Sequence, residues 1–181
     1  MIASSSPGPV PRVVVTVGTD HHRFDRLIDW IDQWSAANPE IAVLVQYGTS
    51  RPPKSATGHD LLAYDDLVGA MATADAVVTQ GGPAGIVDAR GAGRRPIVVA
   101  RRPELGEHVD SHQITFTRWM AERGQIDLAD SAQQLHRLLD HAMADPHAWR
   151  VDEERDTQAT IDAFAAAVDP LLVRRRGDGP S

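Results

Sequence analysis

The stretch Asp75-Ala-Val-Val-Thr79-Gln80-Gly81-Gly82-Pro83-Ala84-Gly85 decides the reading of this chain. Its first five residues form an apolar, β-branched run of strand length, and Gln80-Gly81-Gly82-Pro83 breaks that run into a turn. The helical spacing that follows extends from Ala84 to Gly93. Two adjacent glycines let a backbone turn tightly and lie close to a ligand. Pro83 suits the first turn of a helix, where its missing N–H costs nothing. The N–H groups of Ala84, Gly85 and Ile86 then point outward with the positive end of a helix dipole behind them. That arrangement is an anion site needing no metal, worth roughly 0.3–1 kcal/mol per exposed charge and up to about 2 when partly buried.

Working outward, short apolar runs alternate with amphipathic stretches, the pattern of parallel βαβ units. Arg12-Val-Val-Val-Thr-Val17 is continuous rather than alternating, as expected of a strand covered on both faces. Gly18-Thr19-Asp20 ends it. Phe24, Leu27, Ile28, Ile31 and Trp34 then recur at helical spacing. Asn38-Pro39 closes that helix, and Ile41 to Gln46 is a second buried strand. The Gly/Ser/Pro/Lys stretch from Tyr47 to Gly58 reads as a mobile loop, followed by a short strand over His59 to Ala63. A helix over Asp65 to Thr73 comes next, with Asp65-Asp66 as its N-cap pair. Beyond the deciding stretch lie a strand at Pro96 to Ala100, a polar loop at Arg101 to Asp110 and a helix at Ser111 to Arg123. Gly124 fits a left-handed cap. Gln125 to Asp127 reads as an edge strand, before helices at Ser131–Ala144 and Asp152–Ala167. These elements specify a doubly wound, Rossmann-like α/β sheet, mostly parallel, of about six strands. The expected domain spans residues 11–170, between disordered segments at 1–10 and 171–181.

Composition narrows the function classes. The 181 residues are enough for one domain with a real core. A formal net charge of −7 argues against nucleic acid as a partner, since polyanion binding needs surplus Lys and Arg. There is no cysteine, which excludes disulfides and thiolate metal sites. No apolar run approaches the roughly 20 residues needed to span a bilayer. The first residues lack the basic and apolar regions of a signal peptide, so a cytoplasmic protein is expected. Arg174-Arg175-Arg176 reads as a solvated tail. The 8 histidines include no His-x-x-x-His pair in a metal context, and neither a metal nor a cofactor is expected. His21-His22 reads as an exposed or capping pair. Asp152-Glu153-Glu154 reads as an acidic helix start that favours the dipole.

In such a sheet ligands bind beyond the carboxyl ends of the strands, where strand order reverses. The loops that matter are Gly18 to Asp20, Gln80 to Gly85 and Arg101 to Gln113. With those loops identified, the chain resembles the C-terminal, donor-binding domain of glycosyltransferase family 28. It is most similar to the stand-alone soluble subunits of two-part UDP-sugar transferases, of the dolichol-chitobiose and bacterial exopolysaccharide types. The resemblance covers about residues 12 to 145. It rests on Val13-Val-Val-Thr-Val-Gly-Thr19 with Phe24-Asp25-Arg26-Leu27, on Ala74-Asp-Ala-Val-Val-Thr-Gln-Gly-Gly82, and on Pro96-Ile-Val-Val-Ala-Arg101 leading to Gly106-Glu-His-Val-Asp-Ser-His-Gln113.

The resemblance implies one half of a GT-B glycosyltransferase. Gly18 and Thr19 would lie near the diphosphate across the crevice. The turn Gln80, Gly81, Gly82, with Ala84 and Gly85 beyond it, would support diphosphate and sugar. Asp88 would pair with the ribose hydroxyls. His112 and Gln113 would hydrogen-bond the donor sugar, and Glu107 and His108 match a Gly-Glu-His stretch in the stand-alone members. Three positions depart from the family pattern. Gln80 replaces a histidine and carries no charge, Gly85 replaces a small hydroxyl residue, and Asp88 is one methylene shorter than the usual glutamate.

The expected function is therefore that of a donor-binding subunit in a two-part, inverting hexosyltransferase. A sugar would move from a nucleoside-diphosphate sugar, expected to be a UDP-sugar, to a lipid-linked acceptor in glycan or exopolysaccharide synthesis. The expected partner is a membrane-anchored, acceptor-binding subunit, which would bring this chain to the inner face of the membrane. The catalytic base is not assigned. Two alternatives stand beside this: a non-catalytic nucleotide- or partner-binding relative, and half of another two-domain sugar-nucleotide enzyme such as an epimerase.

Overall fold

The computed structural model describes residues 10–151. The helix expected over Asp152–Ala167, the acidic run at its start, the arginine tail and the two terminal segments (Val10 apart) lie outside the described residues.

The strands are β1 (Val13–Thr16), β2 (Val43–Gln46), β3 (Thr57–His59), β4 (Ala76–Gln80), β5 (Ile97–Val99) and β6 (Asp127–Leu128). The helices between and after them are α1 (Asp25–Ala37), α2 (Tyr64–Thr73), α3 (Pro83–Gly91), α4 (His112–Glu122) and α5 (Ala132–Ala144). Short 3-10 turns occupy Pro103–Leu105 and Pro146–Trp149. The sheet runs in the order β3-β2-β1-β4-β5-β6. Every pairing in it is parallel. The expected six-stranded, doubly wound sheet is what the chain forms.

Strand burial explains the continuous apolar runs. Val13, Val15, Val45, Val78 and Val99 face a core shared with α1 and α5. Val14 and Val77 face the opposite side, against Leu67 and Met71 of α2 and Ala89 of α3. Val98 packs with Ile86 and Met120 beneath α3 and α4. Alternate residues of one strand thus meet different helix layers, so the strand interiors are apolar on both faces and the buried polar residues Thr16, Gln46 and Thr79 lie toward the carboxyl ends. In α1, the expected stripe of Leu27, Ile28, Ile31 and Trp34 is buried, as is Phe24 at the helix N-cap. Gly124 takes φ +68°, the left-handed conformation expected after α4. Among the described residues no helix is long and apolar enough to cross a membrane.

Several boundaries differ from the sequence expectation, each for a physical reason. β3 is Thr57–His59, not His59 to Ala63. It is an exposed edge, held by backbone pairing of Leu44 with Thr57 and Gln46 with His59, so burial left no mark on its sequence. Leu61, whose apolar character pointed to the later strand, is exposed. The loop after β2 is tied down rather than mobile. Asp32 accepts from the backbone N–H groups of Lys54 (2.8 Å) and Ser55 (3.0 Å), and Asp25 from that of Arg51 (2.9 Å). Arg51 also pairs with Asp29 and Asp32. Asp65 and Asp66 lie in the first turn of α2 while Ala63 is the N-cap, so they favour the dipole without capping. α3 begins one residue earlier than expected, at Pro83, and β6 lies at Asp127–Leu128 rather than Gln125 to Asp127.

Ile28 is fully buried between α1 and the sheet. Ile28→Ala should lower unfolding free energy by about 2–5 kcal/mol, read from the urea midpoint. A loss below about 1 kcal/mol would contradict the packing described.

Candidate functional site

Strand order reverses between β1 and β4. The loops leaving the carboxyl ends of these neighbours diverge to opposite sides, which opens a crevice above the sheet. Gly18 ends the first loop's tight start with φ +75°, and its N–H donates to Thr16 Oγ1 at 3.1 Å. The same Thr16 hydroxyl accepts from Gln46 Nε2 at 3.1 Å, which braces the ends of β1 and β2 together. Thr19 is exposed beyond Gly18.

The β4–α3 turn faces this loop. Gly82 is the N-cap of α3 and Pro83 its first residue. Gly82 has no side chain to cap the helix and Pro83 has no N–H, so Ala84 and Gly85 present the helix's first amides. Gln80 folds back over the turn, its Oε1 accepting from the Gly82 N–H at 2.9 Å. A Cβ on Gly82 would fall 2.2 Å from Gln80 Nε2, and one on Gly18 would fall 3.1 Å from the same atom. The Gln80 carboxamide therefore bridges the narrowest part of the crevice, between its two glycine walls. Gly81 is required by α4: a Cβ there would meet Thr117 Cγ2 at 2.9 Å and Gln113 Oε1 at 3.1 Å.

The structure brings together most of the sequence-proposed residues, each with contacts of its own. Gln113 reaches from α4 to Gly81, and its Oε1 lies 3.5 Å from the Arg101 N–H. His112, the first residue of α4, is exposed. Asp88 accepts from Tyr64 Oη at 3.0 Å. That bond, with the nearby Asp88 charge, holds the Tyr64 phenol above its ordinary pKa. Glu107 is buried and ties its loop to α1. Its carboxylate takes Arg26 Nε (2.9 Å) and Nη2 (2.8 Å) in a fork, and the Arg102 N–H at 2.9 Å. His108 lies half-buried beside Asp20.

Two features escaped the sequence reading. The first is Arg101, fully buried at the end of β5. Its guanidinium donates to the carbonyls of Val17 (2.9 Å), His22 (2.8 Å) and Glu107 (3.0 Å), and lies 4.7 Å from the centre of the Phe24 ring. Burial pulls its pKa down, against the opposing charges of Asp20 and Glu107. An arginine closing a five-residue apolar strand was the available signal, since nothing polar survives there without several partners. The second is His22. It is not a helix cap, because α1 starts at Asp25. Its backbone N–H and its Nδ1 both contact Asp20 Oδ1, at 2.8 and 2.7 Å. Burial works to raise the Asp20 carboxyl pKa, but the bonds from His22 and the charge of Arg101 outweigh it and leave it below the usual value.

The comparisons agree with the fold. The glycosyltransferase family 28 C-terminal domain model matches residues 12–170. No curated protein matches the chain. Among solved structures it is similar to the calicheamicin glycosyltransferase CalG4, at 18% identity and TM-score 0.54, over 97% of this chain and 45% of that one. It is also similar to the glycosyltransferase SnogD from Streptomyces nogalater, at 18% identity and TM-score 0.50, over 94% of this chain and 45% of that one. A third is MurG from Acinetobacter baumannii, at 15% identity and TM-score 0.53, over 92% of this chain and 50% of that one. At these identities the likeness is one of fold, and the chain spans about half the length of the structures it matches.

Arg101→Met should leave three buried carbonyls without a donor, at roughly 1–3 kcal/mol each where no water replaces it. Urea unfolding should therefore show a loss of several kcal/mol, and a loss under about 1 would contradict the hub. For Asp20, a lowered native pKa means its stabilisation is present above the unfolded value of about 3.9 and disappears as pH falls through the native value. The stability difference between wild type and Asp20→Asn should shrink below about pH 4.

Proposed function

The chain belongs to the glycosyltransferase family 28 C-terminal domain family, and from that membership we propose that it is the nucleotide-sugar-binding half of a glycosyltransferase. The observation that carries this reading is the Gly82-Pro83 start of α3 set against Gly18 at the point where strand order reverses. A diphosphate lying between these walls would meet the first amides of α3, at Ala84 and Gly85. Positive helix-end potential there favours the negative charge that builds on a departing nucleoside diphosphate. Gln113, fixed against Gly81, and His112 would orient the sugar. Asp88 would take the ribose hydroxyls, in competition with its bond from Tyr64. Glu107 would act indirectly, by fixing the loop that carries His108 through its fork with Arg26. Gly18 and Thr19 would close the crevice from the β1 side.

The finer proposal is a UDP-sugar donor and inverting transfer to a lipid-linked acceptor, presented by a separate membrane-anchored subunit. That subunit would supply the opposite wall of the crevice and hold this chain at the inner membrane face. What supports it is the resemblance to stand-alone donor subunits together with a span of about half the matched structures. Displacement at the anomeric carbon needs an acceptor positioned in line, and a single sheet offers only one wall. A second reading, a nucleotide-binding relative without transfer activity, is favoured by Gln80, whose amide already satisfies the Gly82 N–H inside the turn.

Calorimetry with UDP, GDP and dTDP should show a preference for UDP. Gly82→Val displaces only the flexible end of Gln80, so the domain should stay folded while UDP affinity drops at least about tenfold. Unchanged affinity in the folded variant would remove the turn from the site. Gln113→Ala should weaken UDP-N-acetylglucosamine more than UDP. Transfer should appear on co-expression with an acceptor-binding protein, and its persistent absence alongside intact UDP binding would favour the second reading.

A further inference from the structure

The loop leaving β1 and the loop leaving β5 converge on one carboxylate. Asp20 Oδ1 lies 2.7 Å from His22 Nδ1 and 3.6 Å from His21 Nδ1. Its Oδ2 lies 3.6 Å from His108 Nε2. One ligand atom from each of Asp20, His21 and His22 falls within 4.8 Å of the others, and His108, outside that group, reaches the second carboxylate oxygen and would swing inward to ligate. The His21 and His22 rings are 3.9 Å apart, and the His22 and His108 rings 6.1 Å. We propose that Asp20, His21, His22 and His108 form a binding site for a divalent transition ion of the Zn²⁺ class, at the β1 side of the crevice.

The donor chemistry fits that class. Neutral imidazole and carboxylate are the ligands Zn²⁺ takes in place of thiolate, whereas Mg²⁺ and Ca²⁺ prefer sets made of oxygen. Ligand atoms about 2.1 Å from a tetrahedral ion lie about 3.4 Å apart. The contacts of His21 and His108 with the Asp20 carboxylate, both 3.6 Å, are close to that edge. The shorter His22 contact is a hydrogen bond that an ion would displace.

The surroundings match what a metal-bound imidazole needs. A ligating histidine uses its other ring nitrogen to donate to a carbonyl or carboxylate, which sets tautomer and ring orientation. His108 directs Nε2 toward Asp20, and its Nδ1 lies 3.3 Å from both the carbonyl oxygen and the backbone nitrogen of Asp110, so binding an ion through Nε2 would select the tautomer in which Nδ1 donates to that carbonyl. The backbone is anchored on both sides of the cluster. Arg101 grips the carbonyls of His22 and of Glu107, the residue before His108. Thr49 Oγ1 donates to the carbonyls of Asp20 (3.3 Å) and His21 (3.2 Å). Rigid supports of this kind hold a site's geometry before the ion arrives. His21 is exposed and Asp20 and His22 half-buried, so an ion has an entry path. No His-x-x-x-His spacing announces the site, because its ligands are three consecutive residues and one that is distant in sequence. An ion here would sit at the β1 side of the crevice, and expansion to five-coordination would leave one position for an oxyanion.

The proposal rests on the cluster alone, so it is tested without nucleotide. The full-length protein, freed of any histidine tag, is titrated with ZnCl₂ by calorimetry and with Co²⁺ by visible absorption. The expected result is one Zn²⁺ per chain and a Co²⁺ spectrum of tetrahedral or five-coordinate type. Asp20→Asn and His108→Gln should each weaken Zn²⁺ at least about tenfold, while His147→Gln, on the exposed turn after α5, should not. Should Asp20→Asn fail to fold, His21→Gln and His108→Gln carry the same comparison. Absence of binding at millimolar Zn²⁺, or binding that neither cluster variant weakens, overturns the site. UDP titrated in EDTA reads the nucleotide proposal separately: UDP binding with no Zn²⁺ site would sink this inference and leave that one standing.

Discussion

A guanidinium buried at the end of a strand has five N–H groups to satisfy and no water to help. Arg101 meets most of this through Nη1 and Nη2, which bond to carbonyls from both ends of the loop after β1 and to one from the loop after β5, while its Nε is buried without a hydrogen-bond partner. The site's shape depends on that arrangement. Loops at the carboxyl edge of a parallel sheet are held to the core only at their ends, and their exposed backbone is otherwise satisfied by solvent. Fastening two of them to a single buried cation turns them into one surface. The Phe24 ring adds a cation–π contact, its centre 4.7 Å from the guanidinium carbon. The neighbouring Arg26–Glu107 fork secures the same β5 loop a second time.

Against this rigid side stands the β4–α3 turn, which is shaped by what it lacks. Glycine at 82 and 18 makes room for one polar side chain between the walls, and Gln80 fills it. A chain with any Cβ at 82 would have to expel that carboxamide. The turn is thus a polar gap with a removable occupant, a useful property where a charged ligand must displace protein contacts on entry. The half-buried Asp20–His22–His108 grouping gathers imidazoles around a carboxylate where the loops after β1 and β5 meet.

The doubly wound sheet was legible before any coordinates because its strands are buried on both faces. Residues 13–15 and 76–78 must all be apolar when alternate side chains enter different helix layers, and a continuous run is the result. β3 was misplaced for the converse reason. It is an edge held only by backbone hydrogen bonds, which leave no trace in side-chain type. The loop after β2 looked mobile because its composition is that of a loop, while its anchors, Asp25, Asp29 and Asp32, lie on α1, some 20 residues earlier.

Local order along the chain determined most of the elements and the glycine turn, since each follows from periodicity or from one residue's backbone freedom, while the strand order is a property of the assembled sheet. The resemblance to a known donor-binding domain likewise lay in contiguous motifs. Only the tertiary structure decided which side chains meet. It set Glu107 in an ion pair with Arg26, brought Gln80 across its own turn, and placed His108 beside Asp20, 88 positions away. Those outcomes depend on how the β1 and β5 loops converge on Arg101. That convergence is a long-range contact, and its free energy is realised only once the whole sheet is assembled.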